Sequence, residues 1–255
     1  MKNFFTYLYF CYCCIILIIF FIVVLPLALF AAIFLGKNAA PVIYFCAKVW
    51  FRLYSTFAGL KWQNIGSIIP NKNQAYIFVA NHNSYYDILA MVLSTHQPYR
   101  ILGKEEMTKI PVFGYLYGKA VITVKRKSED DRKKSVARLK YYLGKSISIY
   151  IFPEGTFNNT PNLMKQFYDG AFKMALETKT PLQPLVIHNC KSLLTFDKNL
   201  QIKPGKATYE FLPAITIEEM ESHNIQTLKE LVYLRMEIAL MKYGNKYKKT
   251  NLPTK

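Results

Sequence analysis

Acidic residues are scarce in this sequence. Sixteen Asp and Glu stand against 33 Lys and Arg, for a formal net charge of +17. A surface with that imbalance suits nucleic acid or an anionic membrane face as partner. Cysteine is sparse and badly spaced for cross-linking or metal binding. Cys11, Cys13, Cys14 and Cys46 lie in apolar stretches, and Cys190 stands alone. Zinc sites pair cysteines at ligand spacing with a second pair or with histidines, and no second pair exists, so zinc and disulfide frameworks are excluded. The thiols read as small buried hydrophobes. No G-x-S-x-G elbow surrounds Ser84, which excludes that kind of serine nucleophile. Internal repeats and low-complexity linkers are also missing. With 52% hydrophobic and 19% charged residues, the chain is neither a disordered tail nor an ordinary soluble domain.

The most telling absence is of charge near the N-terminus, where no charged residue occurs from Phe4 to Leu35. A spanning helix needs roughly 20 apolar residues, so this run suffices, and Pro26 within it suggests a kink. It is too long for a signal peptide, and only Lys2 supplies a positive flank. After Gly36-Lys37-Asn38, Pro41 opens a second apolar segment to about Ala58. This segment carries Lys48 and Arg52 on one face and Tyr44, Trp50 and Tyr54 as interfacial residues. Residues 1–58 are therefore expected to form a membrane-embedded helical hairpin, residues 59–244 a globular domain and residues 245–255 a basic tail. The hairpin makes the membrane the expected partner of the basic surface, and nucleic acid is not expected. The charge balance favours the cytoplasmic face, in a bacterial inner membrane.

Beyond Gly59 the pattern becomes α/β. Buried strands are expected at 75–80, 120–124, 146–152, 184–188 and 207–212, with helices at 86–93, 131–143, 170–178 and 226–243. On the helix 131–143, Val136, Leu139 and Leu143 are expected to face inward. Such alternation argues for helices packed around a mostly parallel or mixed sheet.

Two blocks fall at carboxyl ends of expected strands, where ligands bind in open α/β sheets. The first is Asn81-His82-Asn83-Ser84-Tyr85-Tyr86-Asp87. Asp87, in the first turns of the next helix, can reach back to the His82 ring and fix its tautomer, leaving the other ring nitrogen as a base. The second is Phe152-Pro153-Glu154-Gly155-Thr156, whose tight turn is expected to expose Glu154 and backbone N–H groups. Either block alone is commonplace; their convergence on one crevice carries the weight.

Asn81-His82-x-Ser84-x-x-Asp87 and Phe152-Pro153-Glu154-Gly155-Thr156 resemble the first and third motifs of the 1-acyl-glycerol-3-phosphate acyltransferase family, within the glycerolipid acyltransferase superfamily. Lys104-Glu105-Glu106 with Pro111 and Gly114, then Val121 to Arg126, resembles its second region, and Pro184 to Ile187 its fourth. The resemblance implies a glycerol-phosphate acyltransferase-like layered fold. It implies His82 as general base and Asp87 as its orienting partner. Asn81, Ser84, Glu154, Gly155 and Thr156 would lie around the acceptor lipid, with Arg126 and Lys104 as anion anchors. The reaction implied is transfer of a fatty acyl group from acyl-CoA or acyl carrier protein to the sn-2 hydroxyl of lysophosphatidic acid, with no bound cofactor and no metal. Two departures stand out: Phe157 where the family usually has Arg, and Lys125 where it usually has Asp. Another lyso-lipid acceptor, such as a lyso-aminolipid, is the alternative, with an acyl hydrolase and a non-catalytic membrane-binding protein as further readings.

Overall fold

The computed structural model describes residues 2–124, 129–195 and 201–250. Two helices open it, α1 (Lys2–Phe34), which runs through Pro26, and α2 (Ala39–Phe57), joined by a 3-10 turn at Gly36–Asn38. The elements that follow are β1 (Leu60–Asn64), β2 (Ile77–Ala80), α3 (Tyr86–Ser94), β3 (Tyr99–Lys104), α4 (Phe113–Ala120), β4 (Ile122–Val124), α5 (Glu129–Leu143) and β5 (Ser148–Ile151). The chain continues with α6 (Gly170–Thr178), β6 (Leu182–His188), α7 (Cys190–Leu193), β7 (Leu194–Thr195), β8 (Gln201–Ile202), β9 (Gly205–Phe211), α8 (Ile217–Glu221) and α9 (Ile225–Thr250). Arg126 and Lys125 lie outside the described residues, as do 251–255. The closing helix α9 extends to Thr250, into the stretch expected as tail.

Seven strands form one sheet in the order β1-β9-β6-β2-β5-β3-β4. Every neighbouring pair is parallel except β6 and β9. The sheet is thus mixed and mostly parallel, as the strand–helix alternation implies. β2, β5 and β6 are buried at every position, which is why Ile77 to Ala80, Ile149 to Ile151 and Leu185 to Ile187 read as continuous apolar runs. Their side chains alternate between two cores. Phe78 and Tyr150, stacked at 4.4 Å, face a core that includes Cys13 and Ile16 of α1 and Phe51 and Tyr54 of α2. Ile77, Val79, Ile149 and Ile151 face the other core, with Phe172 of α6 and Leu228, Val232 and Met236 of α9. The N-terminal helices therefore share a core with the sheet.

Within the described residues, α1 alone is long and apolar enough to cross a membrane, over Phe4–Phe34. α2 is shorter and lies against α3, α4 and β1. A Tyr54–Tyr86 hydroxyl pair at 2.7 Å ties it to α3. On α5 the expected inner face needs one correction. Leu139 and Leu143 are buried, but Val136 is 37% exposed and Ser135 takes the inward position. The buried stripe follows the i, i+4 spacing of 135, 139 and 143.

Several elements were not legible in the sequence pattern, β1, β3, α4, α7, β7, β8 and α8, and β3 and α4 show why. Tyr99-Arg-Ile-Leu-Gly-Lys104 carries an arginine in mid-strand. Arg100 is nevertheless buried, its guanidinium 4.7 Å from the Tyr142 ring centroid. α4 carries two glycines, and Gly114 has a physical reason. A Cβ there would lie 2.1 Å from the Thr108 carbonyl oxygen, so the turn before α4 closes only without a side chain.

The topology places the crevice. β2 sits between β6 and β5, and the chain leaves it first for β3 and β4 and later crosses to β6. The direction of winding reverses beside β2, the position where doubly wound sheets open a cleft at their carboxyl edge. The β2/β5 register pairs Val79 with Ile151. Continued past the strand ends, it brings His82 level with Glu154.

Candidate active site

His82 leaves the end of β2 with its ring sandwiched by aromatics. Phe152 stacks on it at 3.9 Å and 16°, and Phe157 lies at 4.2 Å and 46°. Its Nδ1 is 3.1 Å from Asp87 Oδ2. The same oxygen accepts the backbone N–H of Asn83 at 2.5 Å and of Ser84 at 2.7 Å. Asp87 is fully buried, and three donors converging on one oxygen hold its carboxylate in a single orientation. With Nδ1 committed to that oxygen, Nε2 is the nitrogen available for chemistry. The ring is partly exposed, at 13%.

The 150s turn differs from its expected form. Glu154 was expected at the surface, yet it is 1% exposed. Its Oε1 accepts the His82 N–H at 2.7 Å and its Oε2 the Lys165 N–H at 2.8 Å. A carboxylate satisfied on both oxygens by backbone donors from two loops is drawn inward, and the turn turns its other residues out. Burial pushes Glu154 up to about 7, and the Asp87 charge adds to that. The two N–H bonds and the Lys165 ammonium oppose the rise. Gly155 has φ 72°, in the left-handed region that favours glycine, and the exposed Thr156 accepts a bond from Lys165 Nζ at 2.9 Å.

Asn81 and Ser84 sit behind the crevice rather than on it. Asn81, fully buried, donates from Nδ2 to Ile187 O at 2.9 Å and accepts the Ile187 N–H on Oδ1 at 2.8 Å. It continues the β2/β6 ladder by one side-chain step. Ser84 donates to Leu194 O and accepts the Tyr86 N–H at the start of α3. Both are positioning residues for the His82 loop. Lys104, at the carboxyl end of β3, is on the rim.

His82, Gly155, Thr156, Phe157 and Lys104 all line one cavity of about 390 Å³. From them it runs between α1, α2 and α4, past Trp50, Ile43, Val24 and Ala28, and its walls are predominantly apolar. A base at the polar mouth of an apolar cavity can act on the reactive end of a long aliphatic chain held inside. Among the described residues no three His, Cys, Asp or Glu gather as metal ligands.

Several contributors were not singled out from sequence. Asn158, 3% exposed, bolts the loop after Glu154 in place. Its N–H donates to His82 O at 2.7 Å, and its side chain bridges Asn162 and Thr160. Lys165 is 11 residues from Glu154 in sequence, and nothing local in the sequence links the two.

The Acyltransferase family profile matches residues 63–188. A Salmonella typhimurium protein named 1-acyl-sn-glycerol-3-phosphate acyltransferase is 26% identical over 60% of this chain and 61% of its own length. A Haemophilus influenzae protein of the same name is 27% identical over 79% of this chain and 83% of its own. The first of these alignments spans about three fifths of the relative. The crystal structure of the 1-acyl-sn-glycerophosphate acyltransferase PlsC of Thermotoga maritima superposes with a TM-score of 0.79, covering 96% of this chain and 98% of that one at 19% identity. At that identity the likeness is one of fold.

Proposed function

Because the chain belongs to the Acyltransferase family, we propose that it is a membrane-bound O-acyltransferase that moves a fatty acyl group from acyl-CoA or acyl carrier protein to the sn-2 hydroxyl of lysophosphatidic acid. The observation that carries this reading is the His82–Asp87 pair, 3.1 Å apart, at the mouth of the apolar cavity.

In this mechanism the acyl chain of the thioester lies in the cavity with its carbonyl carbon near His82. The acceptor hydroxyl attacks that carbon while His82 Nε2 takes the hydroxyl proton. Asp87 stabilises the imidazolium through Nδ1. The tetrahedral intermediate collapses with cleavage of the C–S bond, the sulfur leaves, and the imidazolium returns the proton to it. The products are a lipid ester and a free thiol, so the protein needs no covalent intermediate. Glu154 and Asn158 act on the reaction through the backbone of His82. α1 would keep the crevice at the level of the headgroups, where the acceptor is already dissolved.

Purified protein given acyl-CoA or acyl carrier protein and lysophosphatidic acid is expected to form phosphatidic acid, and His82→Ala to lower kcat by about 10² to 10⁴. Full activity in a folded His82→Ala protein would remove the proposal. Phe157 favours a second reading. Its ring packs against His82 and, at 4.5 Å, against Tyr85, so position 157 offers no phosphate donor. An acceptor without a phosphate, such as a lyso-aminolipid, would fit that position. Side-by-side acceptor assays separate the two.

A further inference from the structure

Resting on the acyl-transfer reading above, we propose that Lys165 and Thr156 form the seat for a phosphate monoester on the acceptor lipid, supplying from the following loop the cation that position 157 lacks. Lys165 Nζ is 2.9 Å from Thr156 Oγ1. Among the described residues no carboxylate lies within ion-pair distance of it, whereas Lys140, Lys173, Lys179 and Lys229 each have one. An ammonium paired with one hydroxyl has two further protons to donate. Thr156 accepts the lysine proton on a lone pair and keeps its own O–H for an anion. Thr156 lines the cavity's polar rim beside His82 and Phe157, and Lys165 reaches that rim through its bond to Thr156.

The seat is indexed to the base. One Glu154 carboxylate holds the His82 N–H on one oxygen and the Lys165 N–H on the other. The backbones that carry the proton acceptor and the ammonium are therefore bridged by a single rigid group. Thr156, which holds the ammonium, lines the same cavity as His82, and that closeness bears on which phosphate fits. In a lysophosphatidate, four bonds separate the reacting hydroxyl oxygen from phosphorus. In acyl-CoA the nearest phosphate is a whole pantetheine arm from the thioester. An anion seat bridged to the base by one carboxylate matches the acceptor.

The test uses the full chain in detergent, with Lys165→Met, Lys165→Arg and, as a control, Lys173→Met. Acceptors are lysophosphatidic acid and the corresponding monoacylglycerol, which has the hydroxyl without the phosphate. Lys165→Met is expected to reduce the preference for the phosphorylated acceptor, as a ratio of kcat/KM values, by about ten- to hundredfold, mainly through KM. Lys165→Arg should restore most of the preference, and Lys173→Met should leave it unchanged. The Lys165 backbone bond to Glu154 does not depend on its side chain, so unfolding midpoints should coincide. An unchanged ratio, or a rise confined to the KM for acyl-CoA, overturns the assignment. Equilibrium binding of short-chain lysophosphatidic acid, measured without donor, separates the two levels of the argument. If binding weakens in Lys165→Met while no variant transfers an acyl group, the seat stands and the acyl-transfer reading falls. If wild type and Lys165→Met bind equally, the seat falls whatever the activity.

Discussion

Replacing Glu154 with Gln should remove the pH dependence of stability between about pH 4.5 and 7 while disabling the protein. Burial raises the folded-state carboxyl to about 7 from its ordinary value of about 4.5. A raised carboxyl means that the folded state binds the proton more tightly than the unfolded state. Stability from this group is therefore fully present below about pH 4.5 and falls as pH rises to about 7, then stays flat. A difference of about 2.5 pK units corresponds to about 3 kcal/mol. Glutamine resembles the neutral acid in shape and charge, so the variant should lose the pH dependence that this carboxyl confers. The expected result is a variant with little pH dependence between 4.5 and 7, its relief from about 3 kcal/mol of charge burial at pH 8 offset by the roughly 1 to 3 kcal/mol of a lost backbone hydrogen bond. An amide, however, has one acceptor oxygen for two backbone N–H groups. Either the His82 or the Lys165 bond is lost, and the base or its neighbouring loop shifts. A displacement of about 1 Å can cost about 10² in rate, so kcat should fall by roughly that factor. Unfolding midpoints of both proteins from pH 4.5 to 8, beside kcat for acyl transfer at pH 8, give the comparison. A variant with the same pH slope as wild type between 4.5 and 7, or one that keeps wild-type kcat, would refute the account of Glu154 as a strained bracket.

Two further outcomes follow from the same geometry. Asp87→Asn offers one oxygen where Oδ2 now gathers three donors and removes the charge facing the imidazolium; kcat should fall by at least about 10² with little change in KM, seen in steady-state transfer kinetics. Ala28→Leu extends into the cavity between α1 and α4 and should shift donor preference to shorter chains, each excluded methylene costing about 0.8 kcal/mol, as read from competition between acyl-CoA chain lengths.

The sequence by itself determined the elements whose residues report their own surroundings. Ile77 to Ala80 and Ser148 to Ile151 are buried on both faces, so they appear as unbroken apolar runs. Residues 2–34 appear as a helix because nothing charged interrupts them after Lys2. His82 and Asp87 were legible because their interaction is local, with the carboxylate in the first turn of α3 reaching back over its own loop. β3 was not legible, because Arg100 is admitted to a strand by the distant ring of Tyr142. The fate of Glu154 was not legible either. A turn sequence says that a residue leaves the strand but not whether distant backbone donors will draw it inward. Those donors, His82 N and Lys165 N, lie 72 and 11 residues away. Only the tertiary structure could convert Asn81 and Ser84 from rim to support, because their partners Ile187 and Leu194 are 106 and 110 residues away. Only it could bring Lys165 to Thr156, which lines a cavity closed by α1, α2 and α4. Local patterns encode burial and periodicity, whereas hydrogen-bond partners across the sheet's carboxyl edge are chosen when the strands align in register.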